Sequence, residues 1–113
     1  MHSSYILKIR GGGHAMQPGF SSTKGIHISM ACFDKIQYDR KSTIVKVGAG
    51  CLWDQVYWKM APYKRNIIGG ASRDGVGVAG WLLGGGYSLK SNVYGLGIDN
   101  IERIEIVTPD GRV

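Results

Sequence analysis

The residues with the clearest chemical potential lie in a glycine cluster that runs into a histidine, Arg10-Gly11-Gly12-Gly13-His14-Ala15. Glycine tolerates positive φ angles and lets a ligand approach the backbone closely. Successive backbone N–H groups in such a loop form a concave nest for phosphate oxygens, and Arg10 would add positive charge. A tight surface turn needs the same residue types, so the cluster alone predicts either a phosphate cradle or a turn.

His14, near the end of this cluster, has more than one interpretation. A single histidine is usually an ordinary core or surface residue that takes part in no chemistry. A neutral imidazole nitrogen also attacks electrophilic carbon, which makes His14 a candidate nucleophile or covalent attachment point. Metal binding is disfavoured, because His2 and His27 do not share a ligand spacing with His14.

A second glycine-rich segment contains the pattern G-x-G-x-x-G at residues 75–80, and Asp99 follows roughly 20 residues later. This pattern is a dinucleotide fingerprint when a strand ends at its first glycine and a long helix follows. Here the nearest predicted strand ends at Ile68, and three glycines at residues 84–86 end the predicted helix early. The context therefore argues against a Rossmann site.

The same segment suits another role, as an apolar shelf on which a flat ring lies close to the backbone. The apolar residues of this predicted shelf are Val78, Ala79, Trp81, Leu82 and Leu83. Tyr87, Ser88 and Lys90 follow and supply polar groups. A glycine-rich turn packed in the core is the alternative interpretation.

Hydrophobic periodicity predicts short elements that position these loops. Strands are predicted at residues 5–9, 26–30, 36–39, 43–47, 66–68 and 101–107, with 26–30 half-buried and the next two forming a hairpin. A helix is predicted over residues 52–60, limited by Pro62, and one or two helical turns over 78–83. Because strands and helices do not alternate regularly, we expect an α+β fold with a mixed sheet and flanking helices.

Length and composition exclude several classes of protein. With 113 residues, 43% apolar and 19% charged, the chain can form a core and is one domain or part of one. No apolar run approaches the roughly 20 residues that span a bilayer, which rules out a transmembrane protein. No membrane is expected among the partners. Cys32 and Cys51 are too few for a disulfide framework or a zinc cluster. Both are predicted to be reduced packing residues.

The net charge of +6 favours an anionic partner, and a nucleic acid, a membrane surface or a phosphorylated cofactor would each satisfy it. Nucleic acid is disfavoured, because Trp53, Tyr57 and Trp58 lie on a helix that has a good core face and no basic stripe accompanies them. The turn signal at residues 109–111 comes almost at the end of the chain. We therefore expect a fragment of a longer protein.

Seven motifs occur in order along the chain. They are Arg10-Gly-Gly-Gly-His14-Ala, Gly25-Ile-His-Ile-Ser-Met30, Val47-Gly-Ala-Gly50, Gly69-Gly70, Gly75-Val-Gly-Val-Ala-Gly80, Leu83-Gly-Gly-Gly-Tyr-Ser88 and Tyr94-Gly-Leu-Gly-Ile-Asp-Asn100. Together they resemble the PCMH-type FAD-binding domain of the vanillyl-alcohol oxidase / p-cresol methylhydroxylase superfamily. The chain is most similar to its berberine bridge enzyme-like oxidases. The resemblance extends over nearly the whole chain, from Ile6 to Gly111.

The resemblance implies that FAD binds in an extended form, with its pyrophosphate at residues 10–15 and with residues 75–80 lining the pyrophosphate and the ring. The implied cofactor-binding residues are Arg10, Gly11, Gly12, Gly13, His14, Ala15, Gly75, Val76, Gly77, Val78, Gly80 and Tyr87. His14 is the residue expected to bond covalently to the flavin 8α-methyl carbon. Some relatives carry a second, cysteine anchor, but Arg73 occupies that position here, so a second covalent bond is not expected.

The resemblance also implies an activity. A small organic substrate would give a hydride to flavin N5, and molecular oxygen would reoxidise the flavin. The substrate domain and the catalytic base are expected outside residues 1–113, which would form one partial FAD-binding domain truncated at both ends. A catalytically inactive fragment and a nucleotide- or nucleic-acid-binding module are the alternatives.

Overall fold

A computed structural model describes residues 6–70 and 75–113, and its first two strands form a parallel pair. β1 (Leu7–Arg10) lies beside β2 (Ile26–Ser29), with Leu7 opposite Ile26. Parallel strands need a long connection, because the chain must return to the starting edge of the sheet. Here that connection contains the first glycine cluster and no helix or strand. The cluster therefore lies directly at the end of β1.

β3 (Ile36–Asp39) and β4 (Ile44–Val47) form the predicted hairpin and pair in antiparallel fashion. The Asp39 carboxylate accepts hydrogen bonds from the Ser42 hydroxyl at 2.7 Å and from the Lys41 N–H at 2.9 Å. These bonds, the one from Ser42 first, lower the pKa of the exposed Asp39 carboxyl, because they stabilise its charged form. The turn is thus held by a side chain that is itself exposed.

α1 (Trp53–Met60) follows the hairpin and confirms the predicted helix. The helix begins after Leu52, whose backbone N–H donates to the side chain of Gln55 at 2.8 Å. It passes at its end into a 3₁₀ turn at Ala61–Tyr63, which contains Pro62. Proline lacks an N–H donor and clashes with the preceding turn, so the α-helix stops here as expected.

The core lies between the hairpin and α1. Its buried residues are Cys51, Trp53, Val56, Met60 and Val78. Half-buried residues of the hairpin pack against them, and these are Ile36, Tyr38, Val45 and Val47. Apolar burial of this kind is the main favourable term in folding. The core therefore fixes the start of α1 and, through Val78, the start of the next helix.

Two short helices follow, α2 (Val78–Leu83) and α3 (Ser91–Tyr94), and a 3₁₀ turn forms at Ile98–Asn100. α2 has the predicted bounds and ends at Gly84, as the glycine run indicates. The backbone N–H of Gly84 donates to a carbonyl of α2. α3 and the 3₁₀ turn were not predicted, because their few apolar residues show no helical periodicity over so short a span.

Trp81 on α2 organises this part of the chain. Its indole N–H donates to the carbonyl oxygen of Tyr87 at 3.1 Å. Its ring lies against Gly86 and Gly97, where an added Cβ would clash with ring atoms. The ring also meets the edge of Trp53, with centroids 4.9 Å apart. Trp81 thus joins the glycine-rich C-terminal half to the core.

The predicted α+β class is confirmed, with the strands forming two separate two-stranded sheets. Two predicted strands are wrong. At residues 66–68 the Asn66 side chain accepts from the N–H of Ile67 at 2.8 Å, and such local bonds compete with strand pairing. Residues 101–107 pair with no strand in the described part of the chain. All four residues of β2 are exposed, so the prediction of a half-buried strand is wrong. Tyr5 lies outside the described residues.

The molecule is more open than its length requires. It has an accessible surface of 9125 Å², whereas a compact monomer of 12.3 kDa has about 6,100 Å². Its radius of gyration is 15.5 Å, compared with about 13 Å for a compact domain of this length. Among the described residues, no helix has both the length and the apolar character needed to cross a bilayer.

Candidate functional site

The two glycine-rich loops singled out in the sequence touch each other in the structure. We call residues 10–15 the first loop and residues 75–80 the second loop. A Cβ atom added to Gly12 would lie 2.6 Å from both the Cα and the backbone nitrogen of Gly77. Only residues without side chains permit this backbone-to-backbone approach. The contact places two lengths of bare peptide side by side, with Gly12 half-buried and Gly77 buried.

The start of α1 holds the second loop in this position. Leu52 and Gly77 form an isolated antiparallel bridge. On either side of it, the Trp53 N–H donates to the Val76 carbonyl at 3.0 Å, and the Val78 N–H donates to the Cys51 carbonyl at 2.9 Å. Because Cys51, Trp53 and Val78 are all buried, the bridge is anchored in the core.

The first loop keeps its backbone donors available. Within the described chain, the backbone N–H groups of residues 11–15 donate to no backbone carbonyl. Gly13 has φ of +76°, a left-handed conformation that favours glycine, and the Arg10 side chain lies directly beside it. Unpaired N–H groups next to a guanidinium are the donor set that an anion such as phosphate requires.

A polar depression opens beside the first loop, with a volume of about 270 Å³. Its lining residues include Arg10, Gly13, Ala15, Gln17 and Ser22. Lys8 borders the same region, where its ammonium group donates to the carbonyl oxygen of Gly19. The depression therefore combines positive charge with hydroxyl and amide groups.

His14 is part of the first loop, and its side chain is exposed. In the second loop Gly75 has φ of +78°, and a Cβ at Gly75 or Gly80 would meet no atom within 4 Å. These two glycines thus leave their backbone open to a molecule from outside. Tyr87 is also exposed, and its carbonyl oxygen ties it to α2 through Trp81.

The predicted apolar shelf does not form as one surface. Val78 is only 4% exposed and points into the core, whereas Leu83 is 82% exposed. Trp81 and Leu82 are half-buried against the core. Helical geometry explains the difference, because residues five positions apart on a helix of 3.6 residues per turn face different sides. Only part of the predicted shelf is therefore available to a ligand.

The G-x-G-x-x-G pattern at residues 75–80 does not form a Rossmann dinucleotide site, as the short helix predicted after it indicated. α2 has six residues, too short for the helix of a Rossmann unit. The Asp99 carboxylate accepts from the N–H of Leu96 at 2.8 Å, so it caps a local turn. Residues 71–74 lie outside the described part of the chain, and so does Arg73, where a second anchor is not expected.

The cysteines divide between two environments. Cys51 is buried, as predicted, and burial raises the pKa of its thiol because the charged thiolate loses solvation. Cys32 is exposed, so the prediction of a packing role is wrong for this residue. Residues 6–70 and 75–113 contain no group of three or more His, Cys, Asp or Glu side chains that could hold a metal ion.

Sequence reasoning missed the residues that hold the loops together. Ala49 is one of them, because its carbonyl oxygen would lie 3.3 Å from a Cβ added at Gly11. Leu52 is another, because its side chain would lie 3.0 Å from a Cβ at Gly12 and its backbone bridges to Gly77. The motif at residues 47–50 carried the available signal, since its glycines predict a close backbone approach.

Comparison with known proteins places these loops in a wider context. Residues 4–113 match a family described as FAD binding domain. FAD-dependent monooxygenase FUP4 of Fusarium proliferatum is 39% identical over 93% of this chain and 20% of its own length. FAD-dependent monooxygenase yanF of Aspergillus niger is 37% identical over 95% of this chain and 19% of its own length. The chain thus spans about a fifth of the length of these curated relatives.

Proposed function

Because the chain belongs to the FAD-binding domain family, of the PCMH type, we propose that it forms the pyrophosphate-binding part of an FAD-linked oxidoreductase. The first loop and the second loop would hold the cofactor from one side. The substrate domain and the catalytic base of an active enzyme would lie in polypeptide that corresponds to the remaining four fifths of these relatives.

The observation that carries the proposal is the contact between the two loops. The diphosphate of FAD carries negative charge and needs several N–H donors and a cation. Beside Arg10, the first loop offers N–H groups that donate to no backbone carbonyl of residues 6–70 and 75–113. Gly12 and Gly77 remove side chains from the place where the loops meet. Gly80 leaves backbone open on the outer side of the second loop. The residues present therefore fit this cofactor.

His14 is proposed as the covalent anchor of the flavin. Its imidazole is exposed and lies directly after the three glycines of the first loop, so it would be free to reach a ring held nearby. One C–H bond of the 8α-methyl group and the imidazole N–H would break, a C–N bond would form, and molecular oxygen would take up the two hydrogens as hydrogen peroxide. With Arg73 at the other anchor position, His14 would be the single covalent link.

FAD, when bound, would supply an acceptor for a hydride from a substrate carbon and a site from which electrons pass to molecular oxygen. The use of oxygen agrees with the names of several relatives, which are FAD-dependent monooxygenases. A small organic substrate and a berberine bridge enzyme-like reaction are the finer form of the proposal. Exposed Tyr87 is proposed as a further contact to the cofactor.

Titration of the purified chain with FAD tests the cofactor assignment directly. FAD is expected to raise the melting temperature and to lose fluorescence as it binds, whereas NAD and a single-stranded oligonucleotide are expected to do neither. A melting shift with NAD or the oligonucleotide, and none with FAD, would contradict the proposal.

Acid precipitation of protein loaded with FAD tests the covalent link. A yellow pellet is expected from the wild-type chain, and a colourless one from His14→Ala. His27→Ala is the matched control, because His27 is also exposed but lies on β2, and its pellet should stay yellow. A colourless wild-type pellet would show that flavin is held without a covalent bond.

A further inference from the structure

Tyr57 on α1 reaches across to the chain segment that enters the second loop. Its hydroxyl donates to the carbonyl oxygen of Gly70 at 2.7 Å. A Cβ at Gly69 would lie 2.5 Å from that hydroxyl, and a Cβ at Gly70 would lie 2.9 Å from Cδ1 of Trp53. The two glycines therefore lie flat on the Trp53–Tyr57 ring pair, whose centroids are 6.0 Å apart.

From Gly70 the contacts continue to the site itself. A Cβ at Gly70 would lie 3.3 Å from Cγ1 of Val76, so the two residues are neighbours in space. The Val76 carbonyl in turn accepts from the Trp53 N–H at 3.0 Å. The next residue, Gly77, is the one that meets Gly12. α1 thus holds the second loop directly, through the bond from Trp53 to Val76, and indirectly, through Gly70, which Tyr57 binds and which lies against Val76.

The Tyr57 hydroxyl is suited to a lasting structural bond. Gly70 is buried, so its carbonyl oxygen would lose this donor without an easy replacement from water. Burial, together with the negative charge of Asp54, raises the pKa of Tyr57. The phenol therefore stays protonated, and remains a donor, throughout the neutral range.

We propose that Tyr57 is a positioning residue of the FAD site, whose bond to Gly70 sets where Gly77 meets Gly12. This inference rests on the proposed function, since it concerns the same pair of loops. It assigns no chemistry to Tyr57, which acts through Gly70 and the contact of Gly70 with Val76 of the second loop. Its consequence is that a side chain on the core helix controls the affinity of a surface site.

Tyr57→Phe tests this role, because it removes the hydroxyl and keeps the ring on Trp53. Loss of one hydrogen bond is expected to weaken FAD binding by about 2- to 12-fold, measured by fluorescence titration. Without FAD, exchange of the Val78 amide hydrogen is expected to accelerate, because this N–H reports on the bridge at Gly77. Exchange of the Gly48 amide, bonded to the Lys35 carbonyl at 2.9 Å, should not change.

Tyr63→Phe is the matched control. It also removes a phenol hydroxyl, but Tyr63 lies in the 3₁₀ turn, with its ring centroid 5.0 Å from that of Tyr38. Neither the affinity for FAD nor the exchange rate of the Val78 amide hydrogen should change. If Tyr57→Phe accelerated amide hydrogen exchange equally at Val78 and Gly48, the substitution would have lowered the stability of the whole fold, and the inference would be overturned.

The two claims fail in different ways. If the wild-type chain binds no FAD, the proposed function is contradicted, whereas the exchange measurement needs no ligand and still decides whether Tyr57 holds the loop. If Val78 exchange accelerates in Tyr57→Phe while the dissociation constant for FAD stays unchanged, the positioning role in the FAD site is overturned. Accelerated exchange together with weaker FAD binding supports it.

Discussion

The region around α1 and the sheet formed by β1 and β2 are both rich in apolar residues, but only the first is covered. Val56 is fully buried, whereas Ile9 on β1 is 65% exposed and Ile28 on β2 is 43% exposed. Parallel strands are usually covered on both faces, and here the register places Ile9 and Ile28 side by side on one open face. The difference shows that an apolar pattern forms a core only where a second layer packs on it.

Trp53→Ala is expected to destabilise the covered region around α1 most strongly. The indole contacts Tyr57, Trp81 and the two glycines before the second loop, so its removal leaves a large cavity in the core. We expect the free energy of unfolding to fall by about 3–5 kcal/mol in urea denaturation. Trp58→Ala is the control on the same helix; with Trp58 79% exposed, the change should stay within about 0.5 kcal/mol.

Gly77→Ala is expected to have the next largest effect. The new methyl group would clash with the backbone of Gly12, and overpacking of this kind costs about 1–3 kcal/mol in urea denaturation. Gly80→Ala adds the same methyl group in open space on α2 and should raise the stability by about 0.5–1 kcal/mol. Equal destabilisation by both substitutions would contradict the close contact of the loops.

Ile9→Ser tests whether the open face of the sheet formed by β1 and β2 contributes to stability. Because the side chain is already in contact with water, the free energy of unfolding should change by no more than about 0.5 kcal/mol. The same change at half-buried Val45, which packs on the core, should cost about 1–3 kcal/mol. A similar loss at both positions, measured in urea, would mean that the open face is covered in solution.

The smallest effect concerns the acid response of the hairpin. Folding lowers the pKa of Asp39, so its contribution to stability is present above the unfolded value of 3.8 and is lost as the pH falls through the folded value. Asp39→Asn should therefore flatten the loss of stability on the acid side, measured as melting temperature between pH 5 and about pH 2. An unchanged acid slope would argue against the hydrogen bonds from Ser42 and Lys41.

The sequence predicted the elements whose signals are local. The hairpin, α1 and α2 have strong periodicity or clear glycine and proline boundaries, and their observed bounds agree within about one residue. The segment predicted as a strand at residues 101–107 has the same alternation but pairs with no strand among the residues that the structure describes, and alternation carries no information about pairing partners. The exposure of β2 has the same origin, because burial depends on what packs above a strand.

In the candidate site, too, the features with local signals could be predicted from the sequence, and the contacts between distant residues could not. The two loops could be found from glycine spacing, because positive φ and close approach restrict the choice of residue. That Gly12 meets Gly77 could not be found from spacing, since the contact depends on how the start of α1 bridges to the second loop. The hydrogen bond from Tyr57 to Gly70 was hidden for the same reason: periodicity assigned Tyr57 to the core face and was silent about its hydroxyl.

The contact between Gly12 and Gly77 also has a consequence for the order of folding. The hairpin and α1 form from neighbouring stretches of chain, whereas this contact closes a long loop, and such closure is entropically costly and slow. During synthesis, the α1 region can gather its apolar side chains before the second loop has left the ribosome. The hairpin and α1 would thus associate first, and Val78 would complete the core only when the second loop docks and the contact between the two loops forms.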